Sequence, residues 1–157
     1  MNDHSVIHST FSLERTYKAA PARVFAAWAE PGAKARWFAG PDSEHRLDFR
    51  VGGHEMARGA NSDGAVLTFE STYLDIVPQA RIVYSSTLSA QDNLATASIT
   101  TVELSPAGDG TRLVLTEQGT YLDGLEDPGW REQGTSQQLD ALGSGLRENG
   151  ILNGHSD

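Results

Sequence analysis

The 157-residue chain contains no cysteine. It therefore has no disulfide framework, no thiolate nucleophile and no cysteine-ligated metal, and it is compatible with a reducing compartment. It also lacks a run of about 20 apolar residues that could span a membrane, and its first residues are not a basic segment followed by an apolar one. We therefore expect a soluble, cytoplasmic protein with no membrane insertion.

Basic residues are few, with 12 Lys and Arg against 21 Asp and Glu and a net charge of −9. Nucleic acid is not an expected partner, because phosphates would be repelled and the basic residues are scattered. The five histidines have no metal-ligand spacing, so no metal site is predicted. The sequence has no nucleophile, phosphate-binding or dinucleotide-binding signature. No cofactor is therefore predicted, and a binding protein is favoured over an enzyme.

Apolar and polar residues alternate in several segments, as they do in half-buried strands. The first such segment, 11–17, ends before a proline that suits a helix start, and two short helices are predicted over 21–28 and 33–38. Four later strands are predicted at 66–77, 81–88, 95–104 and 111–118, and their short loops favour antiparallel neighbours.

Leucines at positions 139, 142 and 146 share one helical face and predict a C-terminal helix over 130–147. Gly134, Gly143 and Gly145 each weaken this helix by about 1 kcal/mol relative to Ala. Either the helix packs closely at these glycines or it frays. We expect residues 150–157 to form a disordered tail after a single domain over 1–149.

The segment 46–51 also alternates and ends in Gly52 and Gly53. It predicts a strand with Leu47, Phe49 and Val51 buried, followed by a two-residue hairpin turn. Asp48 and Arg50 then form a solvated charge pair on the other face. Continued alternation through Gly53 directs Glu55 inward, whereas a two-residue turn directs Met56 inward, and both arrangements stay open.

Five segments occur in an order that resembles a known superfamily: PARVFAAW from residue 21, RWF from 36, DFRVGG from 48, IVPQARIVY from 76 and GTRL from 110. Together, over residues 11–146, they resemble the START-like (SRPBCC) superfamily, in the branch named after the activator of Hsp90 ATPase. The resemblance implies an α+β helix-grip fold. In that fold a curved antiparallel sheet of about six or seven strands wraps around a long C-terminal helix, with two short helices after the first strand.

The resemblance also implies a cavity between sheet and helix that takes a small apolar or amphipathic molecule. The family often has an aromatic residue at the position of Glu55, which favours an inward Glu55 and a less apolar pocket here. The residues expected to bind the ligand are Trp37, Phe49, Glu55, Phe69, Tyr84, Glu117, Trp130, Gly134 and Gln138. Their aromatic members are alternatively core packing residues.

Glu117 shares a strand face with Leu113 and Leu115, so it is expected to point inward. There it could orient a ligand amine or hydroxyl, or act as a general acid or base. Alternatively, it lies at the rim in water or pairs with an arginine.

The leading hypothesis is a protein that binds a small molecule without transforming it. The first alternative is a cofactor-independent enzyme of the cyclase or hydratase type with Glu117 as its catalytic carboxylate. The second is a chaperone cofactor that acts on the Hsp90 ATPase. The sequence leaves open the ligand, its transformation and the formation of a homodimer.

Overall fold

The structure is a computed structural model that describes residues 4–154. Its helices and strands, in chain order, are β1 (Val6–Tyr17), α1 (Pro21–Ala29), α2 (Pro31–Phe38), β2 (Glu44–Leu47), β3 (His54–Ala60), β4 (Val66–Val77), β5 (Arg81–Ala90), β6 (Asn93–Ala107), β7 (Gly110–Leu122) and α3 (Pro128–Gly154). Each helix begins at a proline, whose fixed φ suits the first helical turn and whose missing N–H would have no partner there.

The seven strands form one antiparallel sheet in the order β1-β7-β6-β5-β4-β3-β2. The helices α1 and α2 connect its two edge strands, and α3 packs with them to complete the core. The expected α+β helix-grip fold is therefore confirmed. None of the helices within residues 4–154 is long and apolar enough to cross a membrane.

The helix α3 is held to the sheet by its leucines and by one buried tyrosine. Leu139, Leu142 and Leu146 are at most 7% exposed. The hydroxyl of Tyr17 donates a 2.8 Å hydrogen bond to the carbonyl oxygen of Leu139. The helix extends to Gly154, although a tail was expected from residue 150; the last part of that expected tail, 155–157, lies outside the described residues.

The connection between β2 and β3 differs from the expected two-residue hairpin. Strand β2 ends at Leu47, and residues 48–53 form a loop before the chain reverses into β3. This loop is docked on β4, because the amide of Tyr73 donates to the carbonyl of Gly53 at 3.0 Å. A Cβ at Gly53 would clash with the carbonyl oxygen of Asp48, so only glycine fits.

The loop changes which side chains are buried. Val51 is 58% exposed, so its predicted burial is wrong, because the strand that would turn it inward has already ended. Phe49 does point inward, where its ring packs against those of Tyr73 and Phe25 at centroid distances of 4.9 and 5.6 Å. Asp48 and Arg50 form the expected exposed ion pair at 2.9 Å.

Candidate functional site

A cavity of about 310 Å³ lies between the first half of α3 and the sheet. Its mouth is at the start of α3, where Trp130 is 67% exposed. Its walls come from all three helices, from the loop before α3 and from the strands β4, β5 and β7: Trp28, Trp37, Phe38, Leu67, Phe69, Tyr84, Leu88, Leu115, Glu117, Glu126, Trp130, Arg131, Gly134, Thr135, Gln138 and Leu139. Most of this surface is apolar, and six of its side chains are aromatic.

The sheet register explains how residues distant in sequence meet in the cavity. Tyr84 lies opposite Thr100 on β6, and Thr100 lies opposite Glu117 on β7, so these side chains follow one another across the same face. On α3, Trp130, Gly134 and Gln138 recur every four residues and border the cavity from the other side.

Seven of the nine residues predicted to bind ligand line this cavity: Trp37, Phe69, Tyr84, Glu117, Trp130, Gly134 and Gln138. Phe49 and Glu55 do not line it. Phe49 belongs to the core, and Glu55 is 2% exposed in a separate buried cluster. The role of all nine in ligand binding stays a prediction.

Three charged side chains form the polar end of the cavity. Arg131 Nε lies 2.9 Å from Oε2 of Glu117, and its Nη1 lies 3.3 Å from Oε1 of Glu126. Thr100 Oγ1 donates a 3.0 Å hydrogen bond to the other oxygen of Glu117. Burial raises the pKa of Glu126, and Arg131 only partly opposes this rise. The expected alternative of Glu117 paired with an arginine is thus what the structure shows.

Two buried polar atoms of the cavity residues have no hydrogen-bond partner. They are Nε1 of Trp28 and Oε2 of Glu117, and no other buried side-chain nitrogen or oxygen in the described part of the chain is unpartnered. Arg131 lies close to the Glu117 oxygen but does not direct an N–H at it. A buried polar group without a hydrogen bond is costly, so the Trp28 N–H favours an additional acceptor, whereas the ion pair with Arg131 partly offsets this cost at Glu117.

A second polar cluster lies behind the aromatic wall. Lys34 on α2 is wholly buried and its Nζ donates to Oε1 of Glu55 at 2.9 Å. The Tyr73 hydroxyl donates to the same oxygen at 2.8 Å, and His45 Nε2 lies 2.8 Å from the other. Inward Glu55 is therefore the correct one of the two sequence alternatives, and its carboxylate joins α2, β2, β3 and β4.

Aromatic rings surround the Lys34 ammonium. Its Nζ lies 4.3 Å from the ring centroid of Phe38, 5.1 Å from that of Trp28 and 5.4 Å from that of Trp37. Burial alone would raise the pKa of Glu55, but the Lys34 charge and hydrogen bonds from His45, Lys34 and Tyr73 lower it. The ion pair and the cation–π contacts therefore position the three rings that form the back of the cavity.

A larger but shallower depression of about 760 Å³ lies on the opposite face of the sheet. It is bordered by outward side chains such as Thr72, Thr87, Gln118 and Thr120, which alternate with the inward ones. We favour the smaller cavity as the functional site, because it combines buried aromatic walls with two wall residues that each have a buried polar atom without a hydrogen bond. Within residues 4–154, no three His, Asp or Glu side chains are grouped closely enough to hold a metal ion.

Comparison with known proteins places this chain in a family. The family model described as activator of Hsp90 ATPase homolog 1-like protein matches residues 18–147. The chain belongs to the activator of Hsp90 ATPase homolog 1-like family. It is thereby a member of the START-like superfamily that its sequence resembles.

Solved structures from this family's fold are similar over nearly the whole chain. An uncharacterized protein from Rhizobium leguminosarum is 41% identical with a TM-score of 0.89, over 94% of this chain and 99% of that one. A protein from Rhizobium loti is 46% identical with a TM-score of 0.84, over 90% and 99%. One from Chromobacterium violaceum is 29% identical with a TM-score of 0.72, over 86% and 95%. Comparison with curated proteins gives no significant match.

Sequence reasoning missed six polar residues of the cavity and of the cluster behind it: Lys34, His45, Tyr73, Thr100, Glu126 and Arg131. Alternation could have found two of them, because His45 is two residues from inward Leu47 and Tyr73 is four residues from inward Phe69. A lone lysine on a short helix is ordinarily a surface residue, so nothing in the sequence indicated that Lys34 is buried.

Proposed function

We propose that the protein binds a small amphipathic molecule, without covalent chemistry, in the cavity between α3 and the sheet. The observation that carries this proposal is that the described chain's two buried polar side-chain atoms without a hydrogen bond belong to Trp28 and Glu117, and both residues line this cavity. A ligand with one hydrogen-bond donor and one acceptor would satisfy both atoms. Its apolar body would contact the aromatic walls.

The surroundings of Glu117 favour binding over acid–base catalysis. Its hydrogen-bond and ion-pair partners among the described residues are Thr100 and Arg131. Neither a threonine hydroxyl nor a guanidinium readily exchanges a proton near neutral pH, so no relay from Glu117 is formed. The cyclase or hydratase alternative and the chaperone-cofactor alternative stay predictions.

Gly134 gives the sharpest test of the proposal. It lies on the cavity wall, and a Cβ added there would have no atom within 4 Å. The substitution Gly134→Leu should therefore place a side chain in the cavity mouth without a clash. We expect it to weaken binding of the neutral probe 2-(1-naphthyl)ethanol by at least about tenfold, as measured by isothermal titration calorimetry. A tenfold change in affinity corresponds to about 1.4 kcal/mol.

The matched control is Gly145→Leu, on the same helix but outside the cavity, where an added Cβ also meets nothing within 4 Å. It should bind the probe as the native protein does, and circular dichroism should show that both variants are folded. The proposal is wrong if native protein does not bind the probe, or if the two leucine variants bind it equally.

A further inference from the structure

The charges at the polar end of the cavity are not balanced. Two carboxylates, Glu117 and Glu126, face one guanidinium, that of Arg131, which leaves one negative charge in excess. Arg131 already contacts both carboxylates and donates to Thr96 Oγ1 at 3.1 Å. A ligand anion would therefore meet a guanidinium whose charge is already compensated, and two like charges beside it.

The polar end of the cavity favours a ligand with a hydrogen-bond donor near the carboxylate of Glu117. Glu117 lines the cavity, and its buried Oε2 atom accepts no hydrogen bond, although Arg131 Nε lies 2.9 Å away. An ionised carboxylate oxygen can only accept hydrogen bonds, so any further partner of this oxygen must be a donor. A charged donor would form the stronger hydrogen bond and would also offset the excess negative charge.

The rest of the cavity also favours a cation. Trp37, Phe69 and Trp130 present aromatic rings to the cavity, and the faces of such rings attract cations. Two cation–π contacts of this kind are already present: Lys34 Nζ lies 4.3 Å from the ring centroid of Phe38, and the Arg131 guanidinium carbon lies 5.8 Å from that of Phe69. At longer range, the net charge of −9 attracts cationic molecules and repels anionic ones.

We propose that the polar group of the ligand is a protonated amine bound by Glu117 and Glu126. This inference rests on the proposed function, because it needs the cavity to be a binding site. The ligand class is thus a cationic amphiphile, in which an ammonium group lies at the carboxylates and an apolar body lies against the aromatic rings.

The test uses three probes with the same apolar body at pH 7: 2-(1-naphthyl)ethylamine, 2-(1-naphthyl)ethanol and 1-naphthylacetate. We expect the amine to bind at least about tenfold more tightly than the alcohol, as is typical for a hydrogen bond to a charged group, and the acetate to bind most weakly. The excess affinity of the amine should fall as salt is added.

The variant Glu126→Gln removes one carboxylate from the loop before α3 and keeps its shape. It should bring the amine close to the alcohol in affinity, because it lowers the affinity for the amine far more than the affinity for the alcohol. Glu132→Gln is the control, because Glu132 is an exposed carboxylate on α3 outside the cavity, and its substitution changes the net charge equally. It should leave the order of the three probes unchanged.

The outcomes separate this inference from the proposed function. If the alcohol binds and the amine binds no more tightly, or if the acetate binds best, the amine inference is wrong and the cavity is still a binding site. An equal effect of Glu126→Gln and Glu132→Gln would also overturn it. If none of the three probes binds, the inference and the proposed function both fail.

Discussion

Lys34 and Glu55 form the most deeply buried ion pair of the described chain, with side chains 0% and 1% exposed. Removing one member of such a pair leaves an uncompensated charge, which typically costs about 3–5 kcal/mol. Replacing both members by uncharged residues of similar shape costs much less. We therefore expect the pair to determine how α2 packs on the sheet more than it stabilises the fold.

A double-mutant cycle measures this coupling. We expect Lys34→Met and Glu55→Gln each to lower the free energy of unfolding strongly, and the double variant to be more stable than the sum of the two losses by more than about 1 kcal/mol. Urea denaturation gives the four free energies. The exposed pair of Asp48 and Arg50 is the matched control, and its coupling should be below about 1 kcal/mol.

The coupling between Lys34 and Glu55 should also depend on pH. Because the folded protein lowers the pKa of Glu55, the contribution of this carboxylate is complete above its unfolded pKa of 4.5 and is lost as the pH falls through the lower folded value. A coupling no larger than that of the exposed control pair, or one that rises in acid, would show that Lys34 and Glu55 are not stabilised as a buried ion pair.

For single residues, the sequence patterns predicted whether a side chain points inward more accurately than they predicted which side chain it contacts. Alternation predicted that Glu117 points inward, and the structure gives it 5% exposure. The sequence could not show that Arg131 would reach it, because that contact depends on how α3 crosses the sheet. For the same reason Lys34 was missed, since its partner Glu55 is 21 residues away on another element.

At the scale of elements, the glycines of α3 have different environments. A Cβ at Gly143 would lie 3.0 Å from a ring carbon of Tyr17, whose hydroxyl is hydrogen-bonded to Leu139 and limits movement of the ring. A Cβ at Gly145 would meet nothing within 4 Å. Of the two explanations expected from the sequence, close packing therefore holds at Gly143.

Alanine substitutions distinguish these positions. Gly145→Ala should raise the free energy of unfolding by up to about 1 kcal/mol, because alanine favours the helix and nothing opposes it. Gly143→Ala should gain less or lose stability, since the Tyr17 ring must shift. Urea denaturation of both variants measures the difference, and equal stabilisation at the two positions would contradict the packing described here.

Strand prediction was most accurate where the chain alternates regularly. Strand β4 has the predicted bounds, Val66–Val77, and its inward and outward residues keep a period of two as far as Tyr73, where an irregularity shifts the register before Asp75. Strand β2 was predicted to reach Val51 and instead ends at Leu47. The local pattern favoured a strand, but hydrogen bonds from the loop to Tyr73 on the neighbouring strand outweighed it.

At the scale of the whole molecule, the helix-grip fold was predictable because its segments and motifs occur in order over nearly the whole chain. For the cavity, only its location between α3 and the sheet could be predicted. Its charge balance could not, because Glu126 and Arg131 reach it from the loop before α3 and from α3 itself. Formation of a homodimer stays a prediction.

All three tryptophans of the chain, Trp28, Trp37 and Trp130, line the cavity. Their indole N–H signals in a ¹H–¹⁵N correlation spectrum are therefore direct reporters of binding there. On titration with 2-(1-naphthyl)ethanol, we expect the indole signals and the amide signal of Gly134 to shift together, while the amide signals of Thr72 and Thr120 on the opposite face stay unchanged. Shifts confined to that opposite face, with unchanged indole signals, would contradict this expectation.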